Sequence, residues 1–403
     1  MVRRTIDREG GNGNNCIVDV WREMQKRLTD LDEAHLLRRP AVVDSPCGPR
    51  IRIGRRELLC LCSNDYLGLA SDPAVRAAAV EAIGRWGFGA GASRLISGTM
   101  AVHVELERRL GEFKRTEAAI VTSTGWMANR VAVGALAGRG DLVLCDKLDH
   151  ASILDAAMSC GARLRTYAHR DTARLTALLE RHRRGCRRCL IATDSLFSMD
   201  GDIAPLADLV QIKRRFDAQL LIDEAHATGV MGQEGRGVAE MLGLEEDIDA
   251  TVGTLSKAVG ALGGFVAGPA ALIETIRNTG AAFIYTTAPP PAVCAAAMAA
   301  IDIIRDQPQR RRHLLDLADR LREGLTAAGL DTGESASQII PVVIGPAERV
   351  VRISRLLLEE GLFVPAIRPP TVPKGSSRLR ISLSAGHTPG DISLAIAALA
   401  KVC

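Results

Sequence analysis

One lysine stands where a short apolar run, Ala250–Gly253, gives way to a glycine-rich turn: Thr254-Leu-Ser-Lys257-Ala-Val-Gly-Ala-Leu-Gly-Gly264. A lysine desolvated at such a point has a lowered pKa and can form a Schiff base with a carbonyl. Its small neighbours leave room for a bulky group. Upstream, Leu220-Leu-Ile-Asp223-Glu-Ala-His226 ends a second apolar run in a carboxylate, with a histidine following closely. A carboxylate buried there is costly without a cationic partner, and a protonated ring nitrogen would be one.

Other polar residues recur at equivalent points. Ser123-Thr-Gly125-Trp126 follows an apolar run and opens a helix, where free amides and a glycine make a seat for an anion. His150 follows the next run and can stack on a flat ring or shuttle a proton. Ser198 offers a hydroxyl after another. Asp-Glu-Ala-His also occurs at the Walker-B position of helicases, but a nucleotide-binding Gly-Lys dipeptide occurs nowhere in the chain. A phosphate, a flat ring, a pyridinium-like nitrogen and an aldehyde would satisfy the anion seat, His150, Asp223 and Lys257 in turn. That ligand is pyridoxal 5'-phosphate (PLP).

The elements that must position these residues are legible as a rhythm. Strand-like runs at Ala118–Thr122, Leu142–Cys145, Arg163–Tyr167, Leu190–Thr193, Leu220–Ile222, Ala250–Gly253 and Phe265–Ala267 alternate, for the most part, with helical segments. Continuous apolar strands between helices imply an α/β fold whose sheet is mostly parallel and covered on both faces. Ligands of such sheets bind beyond the carboxyl ends of the strands, where the polar motifs lie. Ahead of the rhythm, Ile17–Leu37 has helical spacing, and Gly87–Arg94 reads as a flexible loop in which backbone packs closely. After Pro289–Pro291 come two helices, then strands at Ile339–Ile344 and Arg378–Leu383 with a helix after each. The expected organisation is an N-terminal segment (1–62), a large domain (63–290) and a smaller α/β domain (291–403).

Composition narrows the class. The chain has 403 residues, 47% hydrophobic, with a net charge of +4. That is a globular protein with a large core and too mild a charge to argue for nucleic acid. No signal peptide and no bilayer-spanning apolar run is apparent. Ten cysteines without a secretory signal suggest reduced thiols and a cytoplasmic protein. Cys186-Arg-Arg-Cys189 lacks the companion ligands that zinc needs, so no metal is expected.

Longer motifs carry a resemblance covering about Val20 to Ala400. Ser63-Asn-Asp-Tyr-Leu-Gly-Leu, Gly89-Ala-Gly-Ala-Ser-Arg-Leu-Ile-Ser-Gly-Thr, Phe197-Ser-Met-Asp-Gly-Asp, Asp223-Glu-Ala-His-Ala-Thr-Gly and Thr254-Leu-Ser-Lys resemble those of the α-oxoamine synthases, PLP-dependent transferases of fold type I. The resemblance implies a seven-stranded, mostly parallel sheet domain plus a smaller C-terminal domain. It implies that Lys257 holds the cofactor and moves the substrate α-proton, that Asp223 pairs with the pyridine nitrogen, and that His150 stacks on the ring. His226 and Ser198 would lie by its phenolic oxygen. Gly125, Trp126 and Thr254 would bind the phosphate, with Thr286 or Thr287 reaching it from a second subunit of a homodimer. Asn64 would lie by the amino-acid substrate, and Arg380 or Arg378, two residues apart on one strand face, would hold its carboxylate.

The family joins an amino acid to an acyl thioester of coenzyme A or a carrier protein, with loss of carbon dioxide. Ser93-Arg-Leu-Ile-Ser-Gly and Leu36-Leu-Arg-Arg look like the biotin-synthesis branch, which uses L-alanine and a pimeloyl thioester. Siblings that use glycine or serine, and a non-catalytic protein that keeps the fold, are the competing readings.

Overall fold

The structure, a computed structural model, describes residues 19–403. It comprises two compact units, one ending at Pro40 and the other spanning Ala41–Cys403. The first contains helix α1 (Val20–Glu33), whose N-terminus is capped by the Asp19 carboxylate accepting from the amides of Trp21 and Arg22. The helix ends before the expected Leu37, because Ala34 caps it and His35 turns into the left-handed region at φ 56°. Ile17, where the helix was expected to begin, and the polar Gly10–Asn15 lie outside the described residues.

The second unit begins with a hairpin, β1 (Arg50–Ile53) and β2 (Arg56–Cys60). Helix α2 (Pro73–Trp86) starts on a proline behind the capping Asp72, as its sequence predicts. The expected flexible loop after it is held more firmly than that. Arg94 is buried, forks onto Glu107 at 2.8 and 3.0 Å, and sits in a single wide turn, Arg94–Gly98. Glu107 belongs to α3 (Ala101–Lys114).

The alternating region follows: β3 (Ala118–Thr122), α4 (Gly125–Leu136), β4 (Leu142–Asp146), α5 (Ala151–Ser159), β5 (Arg163–Tyr167), α6 (Thr172–His182), β6 (Cys189–Asp194), α7 (Leu206–Phe216), β7 (Gln219–Asp223), α8 (Val238–Leu242), β8 (Ala250–Thr254) and β9 (Gly264–Gly268). The strands form one seven-stranded sheet in the order β3-β9-β8-β7-β6-β4-β5. All are mutually parallel except β9, which pairs antiparallel with both β3 and β8. Only a short turn joins β8 to β9, too few residues for a parallel crossover. Alternate residues feed two cores. Val121, Leu144, Ile191 and Ile222 enter one, whereas Ile120, Val143, Leu190 and Leu221 enter the other. Both faces of the sheet are therefore covered, which is why its strands read as unbroken apolar runs.

Beyond β9 run α9 (Ala270–Thr279), α10 (Ala281–Ile284), α11 (Pro291–Asp306), α12 (Gln309–Ala327), β10 (Ile339–Gly345), α13 (Ala347–Glu359), β11 (Leu362–Phe363), β12 (Ala366–Ile367), β13 (Ser377–Ser382) and α14 (Pro389–Val402). β10, β13 and β12 form an antiparallel sheet, and β11 adds in parallel to the β1–β2 hairpin. No helix among the described residues is long and apolar enough to cross a membrane.

Candidate active site

The strands β3, β4, β6, β7 and β8 present their carboxyl ends at one edge of the sheet. There a cavity of about 170 Å³ is lined by residues at the ends of these five strands or just after them, including Gly125, His150, Asp194, Asp223, His226, Thr254 and Lys257. Two glycines make the approach possible. A Cβ on Gly264 would meet Thr124 O at 2.5 Å, and Gly260, at φ 70°, passes so near Ala70 N that a Cβ would lie 2.3 Å from it. The first draws β9 against the start of α4. The second packs the lysine turn onto the segment after Tyr66.

Lys257 projects into this cavity with its Nζ 2.9 Å from His226 Nε2. Burial pulls its amine down to about 8, although Asp223 and Asp194 oppose the shift. About a tenth is therefore the free, nucleophilic amine at pH 7, far more than for an exposed lysine. His226 is buried, and its Nδ1 lies 2.6 Å from Tyr66 Oη. Burial, then the charges of Lys257 and Arg380, push it well below the usual histidine range, so the ring is neutral. A neutral ring that accepts from Lys257 at Nε2 carries its proton on Nδ1 and donates it to Tyr66. Tyr66 in turn lies 3.0 Å from Asn64 Oδ1.

Asp223 is 5% exposed. Its oxygens accept from Asn129 Nδ2 at 2.7 Å and from the Ala225 amide at 2.8 Å. Both donors are neutral, so a buried anion faces the cavity without a hydrogen-bonded cation. Asn129 also reaches Ser152 Oγ at 2.8 Å. The sequence reading missed Asn129. The available signal was a polar residue one turn into the apolar α4, four positions after Gly125.

The helix start expected to seat an anion is present. Thr124 caps α4 by accepting from Met127 N, leaving Gly125 and Trp126 in the first turn, where amides have no intrahelical acceptor. Thr254 faces this turn: a Cβ on Gly125 would lie 3.5 Å from its Oγ1, which is 2.8 Å from Ser256 Oγ. His150 lies at the mouth, tethered through Nδ1 to Ser152 Oγ at 2.7 Å, with Trp126 edge-on at 6.0 Å. Burial lowers its pKa, against the pull of Asp223.

The remaining expected residues lie around this centre. Arg380 is buried and reaches Asn64 Oδ1 at 3.2 Å, Tyr66 Oη at 3.3 Å and the Ser198 carbonyl. All its acceptors are neutral. Arg378 is also buried but is ion-paired with Asp200. The shared strand face thus separates into one neutralised guanidinium and one without a carboxylate. Ser198 turns its carbonyl to Arg380 and lines a neighbouring cavity of about 700 Å³, shared with His150, Arg378 and the 369–374 loop. Thr286 and Thr287 do not line the lysine cavity. Thr287 instead bridges Ser93 and accepts from Ser123 Oγ, just ahead of the anion seat.

These features fit PLP: a buried amine for its aldehyde, an unpaired buried carboxylate for its ring nitrogen, and a helix start with hydroxyls for its phosphate. The fold and the cavity together are those of a fold-type-I PLP enzyme. The family model for aminotransferase class I and II matches residues 56–399. The chain is 48% identical, over 95% of its length and 98% of the relative's, to an 8-amino-7-oxononanoate synthase from Geobacter sulfurreducens. It superposes on a serine palmitoyltransferase from S. paucimobilis, solved with PLP and myriocin bound, with a TM-score of 0.90 and 33% identity, over 96% of this chain and 98% of that one. An 8-amino-7-oxononanoate synthase from Francisella tularensis gives 0.75 and 27% over 85% and 97%. The chain belongs to the aminotransferase class I and II family and, within it, to the α-oxoamine synthases, acyltransferases that use PLP.

Proposed function

We propose that the chain condenses L-alanine with a pimeloyl thioester, giving 8-amino-7-oxononanoate, carbon dioxide and the free thiol of coenzyme A or a carrier protein, as a step of biotin synthesis. The near-full-length identity to a synthase of that name supports the substrate pair. The observation that carries the amino-acid site is Arg380, a buried guanidinium whose hydrogen-bond partners are all neutral. A substrate carboxylate supplies the missing anion, and the guanidinium fork suits both of its oxygens. Asn64 and Tyr66 hold that fork in place.

PLP, when bound, supplies an aldehyde for Lys257 and a ring that takes up the charge of the deprotonated α-carbon. Lys257, with its amine held near 8, is suited to take and return that proton near neutral pH. Neutral His226 accepts a hydrogen bond from it without competing for charge. Asp223 would pair with the ring nitrogen, and His150 would stack on the ring. Gly125, Trp126 and Thr254 hold the phosphate, and Ser198 lines the approach of the acyl group.

The working unit is a cytoplasmic homodimer. Phe88, Ile96 and Tyr285 are 76%, 81% and 83% exposed. They lie on two segments joined through Ser93–Thr287 and through the Ala288 amide donating to the Ala92 carbonyl, next to the anion seat. A second copy covers this apolar surface and brings its Thr286 or Thr287 to the phosphate. Residues 63–290 make the large domain, 291–403 the small one and 1–62 the N-terminal segment.

A sibling activity on serine is the second reading, favoured by the higher TM-score with the serine palmitoyltransferase. Free thiol release, measured with alanine, glycine and serine against pimeloyl and longer acyl thioesters, separates the two. Alanine with the pimeloyl donor is expected to be fastest. Faster turnover of serine or glycine with every donor would overturn the assignment.

A further inference from the structure

A feature unused by this chemistry lies at the root of the Asn64–Tyr66 turn. Cys60 ends β2, and Cys62 follows on the same side of the extended chain, with the two Sγ atoms 3.9 Å apart. An extended separation of two residues spans about 6.6 Å between Cα atoms, within the range a disulfide bridges. Cys60 is buried, whereas Cys62 is part-exposed. The hydrogen bond from Cys62 lowers the Cys60 thiol against the effect of burial and so favours its thiolate. Next in the chain, Ser63 accepts from Ser382 Oγ at 2.9 Å through its carbonyl and from the Asp65 amide at 3.1 Å through its hydroxyl. Asn64, which positions Arg380, comes immediately after.

We propose that Cys60 and Cys62 are a redox modification site, closed to a disulfide by a hydroperoxide and reopened by a reductant, whose closure displaces the arm that holds the substrate carboxylate. The Cys60 thiolate attacks the peroxide oxygen, giving the sulfenic acid and releasing hydroxide. The Cys62 thiol then displaces water from that sulfur, with its proton leaving in the water. Two thiols are oxidised by one electron each, and one peroxide takes up both. Closure brings the sulfurs from 3.9 Å to about 2.05 Å, and because the Cα spacing lies at the upper end of the bridging range, closure pulls on the Cys62–Asn64 backbone. A displacement of about 1 Å at a positioning group can cost about 100-fold in rate.

The test treats the PLP-loaded enzyme with hydrogen peroxide and digests it with trypsin. Both thiols, and no other cysteine, fall in the peptide Glu57–Arg76. We expect that peptide to lose about 2 Da, a phosphine reductant to restore it, and the KM for the amino acid to rise about tenfold or more in the oxidised enzyme. Cys60→Ser and Cys62→Ser variants should keep basal activity and lose the peroxide response. An unchanged peptide mass while other thiols oxidise overturns the site. A disulfide that leaves KM unchanged overturns the coupling, and equal peroxide inactivation of Cys60→Ser overturns both. The mass readout is independent of which amino acid the enzyme prefers.

Discussion

Two groups of charged side chains sit at the same carboxyl edge of the large sheet, and they are wired in opposite ways. In one, His169 after β5 bridges Asp146 and Asp202, at 3.2 Å through Nδ1 and 2.8 Å through Nε2. Arg170 adds a 3.3 Å contact to Asp202 and an ion pair with Glu334. Burial alone would lower His169, but the hydrogen bonds to the two carboxylates push it up to about 10. In the other, Lys257 is pulled down to about 8, His226 is kept neutral, Arg380 meets only neutral acceptors and Asp223 only neutral donors. A shifted pKa marks both groups, so a shift by itself does not single out a reactive site. The direction does. The first cluster satisfies its charges with each other and holds a loop, whereas the second leaves them for a ligand.

Lys257 carries the largest expected effect of the two clusters. Replacing it with alanine removes the amine that the whole cavity is arranged around, and turnover should fall by about 10⁴-fold or more. A variant that retained even a tenth of the activity would mean that the cavity's unmet charges serve something else. In the wild-type apoenzyme, capture of PLP, followed by its absorbance, should accelerate as pH rises through about 8, where the amine loses its proton.

The two arginines of β13 sharpen the contrast within a single strand. Arg380→Gln removes a charge-assisted contact to the substrate carboxylate, worth about 1.5–3 kcal/mol, and should raise the amino-acid KM by about 10- to 100-fold. Arg378→Gln should change that KM by no more than a few-fold, since Asp200 already answers its charge. Steady-state kinetics with alanine varied decides this. A larger effect at Arg378 would exchange their roles.

That distinction shows where the sequence stops being readable. Spacing placed Arg378 and Arg380 on one face, but the carboxylate that neutralises one of them lies on the β6 loop, far away in the chain. The polar motifs at strand ends were legible because period and composition are local. So was the sheet, whose buried strands read as apolar runs. Asn129 gave only a weak local cue, a polar residue in an apolar helix, because its partner Asp223 lies far along the chain at the end of β7. The two-residue strands Leu362–Phe363 and Ala366–Ile367 were not legible, being too short to show any periodicity. Tyr66 was visible as an embedded aromatic, yet its contact with His226 exists only once the segment after β2 meets the β7 turn.

The smallest expected effect tests the satisfied cluster. A histidine whose folded pKa is raised contributes stability that is complete below its unfolded value of about 6.5 and is lost as pH rises through about 10. Lys257 has the opposite sign. Its depressed value weakens the fold progressively as pH falls from about 10.5 to about 8, so in that window its term rises with pH. Replacing His169 with glutamine keeps one hydrogen bond and deletes the charge. Thermal unfolding of the apoenzyme from pH 7 to 10 should then show a shallower decline in Tm than wild type, with a loss of a few degrees at pH 7 that vanishes near pH 10. Turnover at neutral pH should change little, because His169 does not line the lysine cavity. If His169→Gln instead abolished turnover while leaving the Tm profile parallel to wild type, the cluster would belong to the chemistry, and the division between satisfied and unmet charges would fail.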